Sequence, residues 1–490
     1  MKATWATVFI LLAILLIQTD ALSADEWRGR TIYQLLTDRF ATDTVSSPTC
    51  NLEDLKYCGG TYKGIKQMLP YISKLADAIW ISVPFTQTDW AGRSDIPDGF
   101  HGYFTACWDA KDCMNPHFGS PQDLKDLVDA CHAMDIAVMV DFVANHAGPV
   151  TSLGDHKYDF SLVKSFTDAK FYHPDCHITD WNNQEQVENC WLGSLCDLKQ
   201  EDSFVADTLI KSVVDLVKLY DIDGLRIDTV AEVPKWFWKK FQDAVPVYMV
   251  GEIFNGRVDY VASYQDQLSG VLAYPVYFTA VNTLAHGQSM RDLAGTISSL
   301  KASYNDYKTL GYFVSNHDNP RFLTYANSDF YKLSNALTFL MGFDIPIFYY
   351  GDEAGFMGHN GKTGDPYNRQ PLWWSGYTES TPIFFYQAKL FKFRQSGALD
   401  LDADFEVSFA SDNMLGYYRG DAFFALTNVG QGAGEMNWYA NDHPYGAGQT
   451  VCNIFYPTDC VTITKGKLPI FLDHGEAKIF LPKDSSYFRM

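Results

Sequence analysis

Short apolar runs alternate with amphipathic stretches from about residue 30 to residue 395. Runs at 31–36, 78–83, 136–141, 220–227, 245–250, 310–314 and 345–350 are brief and rich in β-branched or aromatic residues, so they predict strands buried on both faces. Between them, apolar residues recurring at helical spacing predict helices over 62–75, 121–134, 204–220, 330–341 and 382–394. Repeated strand–helix units imply a parallel sheet, and about eight of them favour a closed (β/α)8 barrel over an open sheet.

Two regions break this rhythm. Residues 143–203 show no clear helical period and carry Cys176, Cys190 and Cys196; a connection that long reads as a small inserted domain projecting from the third strand. From about 401 the segments 423–428, 449–455 and 477–481 alternate or are β-rich between Gly-containing turns, which predicts a C-terminal antiparallel β-sandwich domain. The expected organisation is therefore a barrel over 24–142 and 204–400, an insert over 143–203, and a β-domain over 401–490.

The first 23 residues read as a signal peptide. Lys2 is basic, 5–17 is apolar apart from Thr7, and the small residues Ala21, Ser23 and Ala24 follow. That core is too short for a membrane span, so a secreted, extracellular protein is expected, not a membrane partner. The chain of 490 residues holds 38 basic and 59 acidic side chains, a net charge of −21, which argues against nucleic acid as a partner. Ten cysteines in a secreted chain imply disulfides. Four close pairs each bracket a loop: Cys50 with Cys58, Cys107 with Cys113, Cys176 with Cys190, and Cys452 with Cys460. Cys131 lies on the apolar face of a helical pattern and reads as a buried free thiol; the state of Cys196 stays open.

The candidate chemistry sits where strands end. Asp228 closes Gly-Leu-Arg-Ile-Asp, Glu252 closes Val-Gly-Glu, and Asp318 lies within Ser-Asn-His-Asp-Asn. Acids at the C-terminal ends of parallel strands occupy the catalytic position of such barrels, and paired carboxylates are the equipment of glycoside hydrolysis. Arg226 and Asp228 are two apart on one strand and share a face. A guanidinium there is expected to lower the pKa of Asp228, and apolar surroundings to raise that of Glu252. Singly, each acid could equally be a strand-end ion pair; three in succession make that reading weak.

These phrases, taken in order, resemble the α-amylase family of glycoside hydrolases, specifically the secreted fungal type. The resemblance runs from Ile32-Tyr-Gln-Leu-Leu-Thr-Asp-Arg-Phe through Cys58-Gly-Gly-Thr-Tyr, His101-Gly-Tyr, Asp141-Phe-Val-Ala-Asn-His and Gly224-Leu-Arg-Ile-Asp-Thr-Val, then Gly251-Glu, Asn316-His-Asp-Asn-Pro-Arg and Gly364-Asp-Pro-Tyr-Asn-Arg. It implies Asp228 as nucleophile, Glu252 as acid/base and Asp318 as third acid. It further implies that His101, His146, His317 and Tyr103 contact the sugar beside the cleaved bond, and that Asp365 and Arg369 hold donor sugars. A Ca2+ ion is implied at Asn145, Glu188 and Asp197, with a backbone carbonyl near Glu232; oxygen ligands suit such a hard cation. The expected substrate is an α-glucan (starch, glycogen or maltooligosaccharides) cut at internal α-1,4 bonds by a monomer.

The chain departs from the family pattern at Ala231 and Glu232, where a Lys-His pair usually contacts acceptor-side sugars. A shortened loop before Asp197, and Lys199 in place of an acid, are smaller departures. A 4-α-glucanotransferase or an oligosaccharide-preferring α-glucosidase on the same scaffold therefore stays open. A catalytically silent binding protein is the reading from a different class, although no catalytic acid is missing.

Overall fold

The computed structural model describes residues 22–44, 48–88 and 97–489. The leader expected over 1–23 lies almost wholly outside the described residues; within them, no helix is long and apolar enough to cross a membrane.

Eight parallel strands form the central sheet: β1 (Ile32–Gln34), β2 (Ala78–Ile81), β3 (Ala137–Phe142), β4 (Gly224–Ile227), β5 (Tyr248–Gly251), β6 (Gly270–Val271), β7 (Gly311–Tyr312) and β8 (Ile345–Tyr349). Their spatial order is β6-β5-β4-β3-β2-β1-β8-β7, and a parallel bridge between Leu272 and Gly311 closes the ring. Every residue of these strands is buried, as a barrel filled inside and sheathed by helices requires.

Two departures from the expected elements have local causes. The helix expected over 62–75 is two, Tyr62–Gln67 and Leu69–Ile72, because Pro70 lacks the N–H that a continuous helix needs and instead sits at the second helix's start. The run at 220–227 is not all strand: the helix Ser203–Tyr220 ends on Asp221 in the left-handed conformation, and β4 begins at Gly224. Helices Tyr274–Ala280 and Met290–Ser303, between β6 and β7, were not foreseen.

The insert after β3 is built from two-stranded pieces, such as His146–Ala147 with Cys196–Asp197, and one short helix, Gln184–Asn189. Beyond residue 404, a six-stranded antiparallel sheet faces a two-stranded one, Met436–Ala440 with Leu468–Leu472. Phe423, Val451 and Phe480 from the first meet Leu468, Ile470 and Leu472 from the second. The two layers thus bury their inner faces on each other.

All four expected disulfides are present: Cys50 is bonded to Cys58, Cys107 to Cys113, Cys176 to Cys190, and Cys452 to Cys460. Two of them close tighter structure than the loops their spacing suggests. Cys113 N–H donates to the Asp109 carbonyl at 2.9 Å, so the bond from Cys107 to Cys113 closes a hydrogen-bonded turn. Cys460 lies directly opposite Cys452 on paired antiparallel strands, Thr450–Asn453 and Cys460–Thr462, so that bond crosses a hairpin. Cys131 and Cys196 are buried free thiols. Burial raises the thiol pKa of Cys196 to about 12, which makes it unreactive.

Candidate active site

Strand register assembles the charged centre. Asp141 on β3 pairs with Arg226 on β4, and Arg226 pairs with Val250 on β5, two residues before Glu252. Arg226 is fully buried, and its guanidinium carries three carboxylates. Nη1 donates to Asp141 Oδ1 at 2.9 Å and to Asp228 Oδ1 at 2.7 Å, while Nη2 lies 2.8 Å from Glu252 Oε2. Trp80 Nε1 and the Tyr103 hydroxyl donate to Asp141 Oδ2, fixing that acid from its other side.

Just past β4 the chain turns sharply at Thr229, a β-branched residue at φ 46°. That conformation is uncommon for such a side chain. It lets Thr229 Oγ1 donate to Asp228 Oδ2 at 3.0 Å and Thr229 N–H donate to Glu252 Oε2 at 3.2 Å. Tyr274 donates to the other oxygen, Glu252 Oε1, at 3.1 Å. Gly251 leaves the required space, since a Cβ there would lie 2.6 Å from Leu268 Cδ1.

One cation shared by three buried acids cannot hold all of them ionised. Burial pushes Asp228 up to about 6 against the pull of Arg226, with Asp141 and Asp318 adding to the rise. The net direction is opposite to the lowering expected from Arg226 alone, because the depth of burial and the neighbouring acids outweigh the guanidinium, and neither is visible in the local sequence. Glu252 rises further, to about 8: burial leads, Arg226 opposes it, and the charges of Asp228 and Asp318 add to it. The direction expected for Glu252 therefore holds. Near neutral pH the arrangement favours an ionised Asp228 beside a protonated Glu252.

These acids open into a cleft of about 640 Å³, which His101, Tyr103, His146, Asp318, Asp365 and Arg369 also line. Asp318 accepts from Arg369 Nη2 at 3.3 Å and lies 3.2 Å from His317 Nε2; Arg369 Nη1 also pairs with Asp365 at 3.0 Å. The His317 ring stacks parallel to Tyr103, with centroids 5.1 Å apart, and its side chain is 2% exposed. It therefore supports Asp318 and Tyr103 from beneath, whereas His101 and His146 reach the cleft wall. Gly102, at φ 101°, makes the turn that lets Tyr103 N–H donate to His101 Nδ1, leaving His101 Nε2 to carry the ring proton. Burial lowers the pKa of all three histidines, His146 to about 4, so they act as neutral hydrogen-bonding groups.

The residues implied for calcium are only partly brought together. The Asn145 side-chain amide lies 3.0 Å from Asp197 Oδ1 and 3.1 Å from the Glu232 carbonyl oxygen. With its nitrogen turned inward it donates to both; with its oxygen inward, three oxygens converge as a hard cation demands. Asp197 is held by His173 Nδ1 at 2.6 Å. Glu188 instead accepts from Gln184 Nε2 at 2.8 Å, and Glu232, which lines the cleft, brings its backbone carbonyl to the cluster. Among the described residues no group of three or more His, Cys, Asp or Glu side chains gathers as a metal site. A donor set of one amide, one carboxylate and one carbonyl nevertheless fits calcium in kind.

Sequence reasoning left Asp141, Trp80, Thr229 and Tyr274 without a role. Asp141 carried the same signal as the other acids, a carboxylate near the end of a buried apolar run. The other three gave no sequence signal: Trp80 and Tyr274 meet partners from distant segments, and the role of Thr229 depends on its left-handed backbone and on Glu252 from the next strand.

A parallel barrel with paired carboxylates on one buried arginine, in a cleft at the strands' C-terminal ends, is the site of a glycosidase. The family profile "Alpha amylase, catalytic domain" matches residues 34–404. An α-amylase of Saccharomycopsis fibuligera is 36% identical over 482 residues, 94% of this chain and 92% of that protein. The solved α-amylase of Malbranchea cinnamomea superposes with a TM-score of 0.87 at 36% identity, covering 95% of this chain and 98% of that one. An α-amylase of Geobacillus thermoleovorans, solved with acarbose, gives 0.79 at 29% identity, with 93% and 98% covered. The chain belongs to the α-amylase family of glycoside hydrolases, enzymes that act on α-glucans.

Proposed function

We propose that this chain is a secreted, retaining α-amylase that cleaves internal α-1,4-glucosidic bonds of starch, glycogen or maltooligosaccharides. The carrying observation is the single Arg226 guanidinium between Asp228 and Glu252, with Glu252 the weaker acid of the two. Protonated Glu252 gives its proton to the glycosidic oxygen as the bond to C1 breaks. The ionised Asp228 carboxylate attacks C1 and forms a glycosyl ester. Glu252, now a carboxylate, takes a proton from the incoming water, whose oxygen displaces Asp228 with a second inversion at C1. Asp318 accepts from sugar hydroxyls, with His101 donating from the same wall; Asp365 and Arg369 hold donor sugars further along.

Asn145, Asp197 and the Glu232 carbonyl are the groups that would hold Ca2+, which supplies positive charge tying the insert to the segment after β4. Four disulfides suit an oxidising compartment and support secretion. Proton NMR of early products from soluble starch should show α-anomers and mixed short oligosaccharides. Initial β-anomers, or glucose alone, would overturn the reading. Exhaustive chelation should lower the melting temperature by mass action; an unchanged melting curve would remove the calcium assignment.

A second reading, 4-α-glucanotransfer, draws on one observation. Beside Ala231 and Glu232 the cleft is lined by Trp181, Leu192, Leu195 and Phe254, an apolar wall that offers a sugar ring more than it offers water. Maltopentaose distinguishes the two, since products longer than the substrate mean transfer.

A further inference from the structure

A second groove, of about 740 Å³, lies between the barrel and the C-terminal β-domain. One wall is made by the first turns of the helices Phe330–Met341 and Pro382–Gln395, which follow β7 and β8 and so begin at the barrel end that carries the cleft. The other wall comes from the loops around Phe455–Asp459 and Phe471–Lys478 of the β-domain.

Three large aromatic side chains stay in water along this groove: Phe385 is 63% exposed, Tyr456 61% and Phe471 40%. Exposed apolar surface gathered in one place and rimmed by polar groups marks a binding site. The groove is also charged. The Lys478 side chain is 5% exposed, its ammonium 2.8 Å from Asp459 Oδ2 and 3.0 Å from Glu476 Oε1. Those two carboxylates keep lone pairs beyond the ones Lys478 uses. Lys389 and Asp473 complete the charged lining, so two cations face three carboxylates. Two contacts fix the walls to each other: the Tyr386 and Phe455 rings stack at 4.4 Å, and Lys389 Nζ donates to the Phe455 carbonyl at 2.6 Å.

Nearly balanced charge recommends neither a polyanion nor a cation. A protein interface of ordinary size has a core depleted in charged residues, unlike this floor. Flat aromatic faces beside fixed carboxylates match a neutral ligand with apolar C–H faces and a rim of hydroxyl donors, which is the surface of a pyranose ring. We propose that this groove is a second, non-catalytic binding site for an α-glucan chain. Phe385 and Tyr456 are the stacking platforms, and Asp459 and Glu476 accept from sugar hydroxyls. The inference rests on the α-glucan reading of the cleft. A polymer held here raises its effective concentration at the cleft without any new contact to the scissile bond.

The test uses the full-length protein carrying Asp228→Asn, so that ligand is bound and not consumed. Titration with maltoheptaose should show two sites, falling to one when Phe385→Ala and Tyr456→Ala are added. Adsorption to granular starch should weaken roughly tenfold, and Tyr456→Trp should restore it where Tyr456→Ala does not. With Asp228 intact, the double alanine variant should keep its kcat/KM on a short chromogenic maltooligosaccharide. Unchanged stoichiometry and adsorption in a folded double variant would overturn the proposal. So would a dimer, detected by sedimentation, that the double variant abolishes, because the groove would then be an interface between copies. Absence of all maltoheptaose binding would instead strike the α-glucan reading, since the cleft would be silent too.

Discussion

The barrel has a buried arginine–carboxylate centre at each end, and the two differ in stoichiometry. At the C-terminal end of the strands, one arginine, Arg226, serves Asp141, Asp228 and Glu252. At the other end, just before β8, one carboxylate serves two cations and the backbone carbonyl of the same residue a third. Arg419 forks onto Asp344 at 2.8 and 3.0 Å, Arg28 Nε reaches Asp344 Oδ1 at 3.1 Å, and Arg394 donates to the Asp344 carbonyl at 2.6 Å. An excess of acids leaves protons to be shared and pushes carboxyl pKa values upward, which is what general acid chemistry needs. An acid saturated with donors has nothing left to give and fastens the barrel floor to the C-terminal domain. The same residue types therefore make a reactive site at one end and a rivet at the other.

Substitution at each centre should separate the two roles. Asp228→Asn keeps the fold and the hydrogen bond to Arg226 but removes the nucleophile; kcat should drop roughly 10^4-fold or more, with little change in melting temperature. Appreciable turnover by a folded Asp228→Asn protein would end the analogy between nucleophile and cleft acid. Asp344→Ala strands buried guanidinium charge and should cost about 3–5 kcal/mol of stability, while kcat of the folded fraction stays the same. Denaturant unfolding alongside active-site titration checks this; loss of kcat with full stability would contradict a purely structural role.

The smallest expected effect lies at the rim of the catalytic centre. Ala231 offers no donor to an acceptor sugar, and the carboxyl of Glu232, a residue lining the cleft, is pushed up to about 8 by burial and by Glu252 and Asp228. Restoring charged donors with Ala231→Lys and Glu232→His should change acceptor-side binding by about 1.5–3 kcal/mol per bond gained. The readouts are kcat/KM on maltooligosaccharides and the ratio of transfer to hydrolysis. If neither moves in a folded variant, the departure from Lys-His has no consequence for function.

The barrel was legible in the sequence because strands buried on both faces write themselves as apolar runs, and because the acids fall at their ends. β6 was not legible, since a two-residue strand such as Gly270–Val271 carries no periodicity, whereas β7 lies inside the apolar run at 310–314. The cysteine pairs were readable from their close spacing, although the hairpin that sets Cys452 opposite Cys460 was not. What sequence could not supply was stoichiometry. Arg226 and Asp228 are neighbours in the chain, but Asp141 and Glu252 arrive through strand register from 85 residues before and 26 after Arg226. Burial of Asp228 at this junction, with the charges of Asp141 and Asp318 added, reverses the direction of its shift. The second groove was equally hidden, since its walls are contributed by helices and loops about 70 to 145 residues apart.

The pH dependence of kcat/KM tests the shared-arginine account most directly. Asp228 must be ionised, so activity should rise as pH climbs through about 6; Glu252 must be protonated, so activity should fall as pH passes about 8. The two limbs belong to the coupled pair. The measurement is kcat/KM from pH 4 to 10 on a maltosyl fluoride, whose leaving group needs no proton, and on a maltooligosaccharide. A bell is expected for the oligosaccharide, with loss of the alkaline limb for the fluoride. An alkaline limb of equal position with both substrates would contradict it, because the group titrating there would not be the general acid.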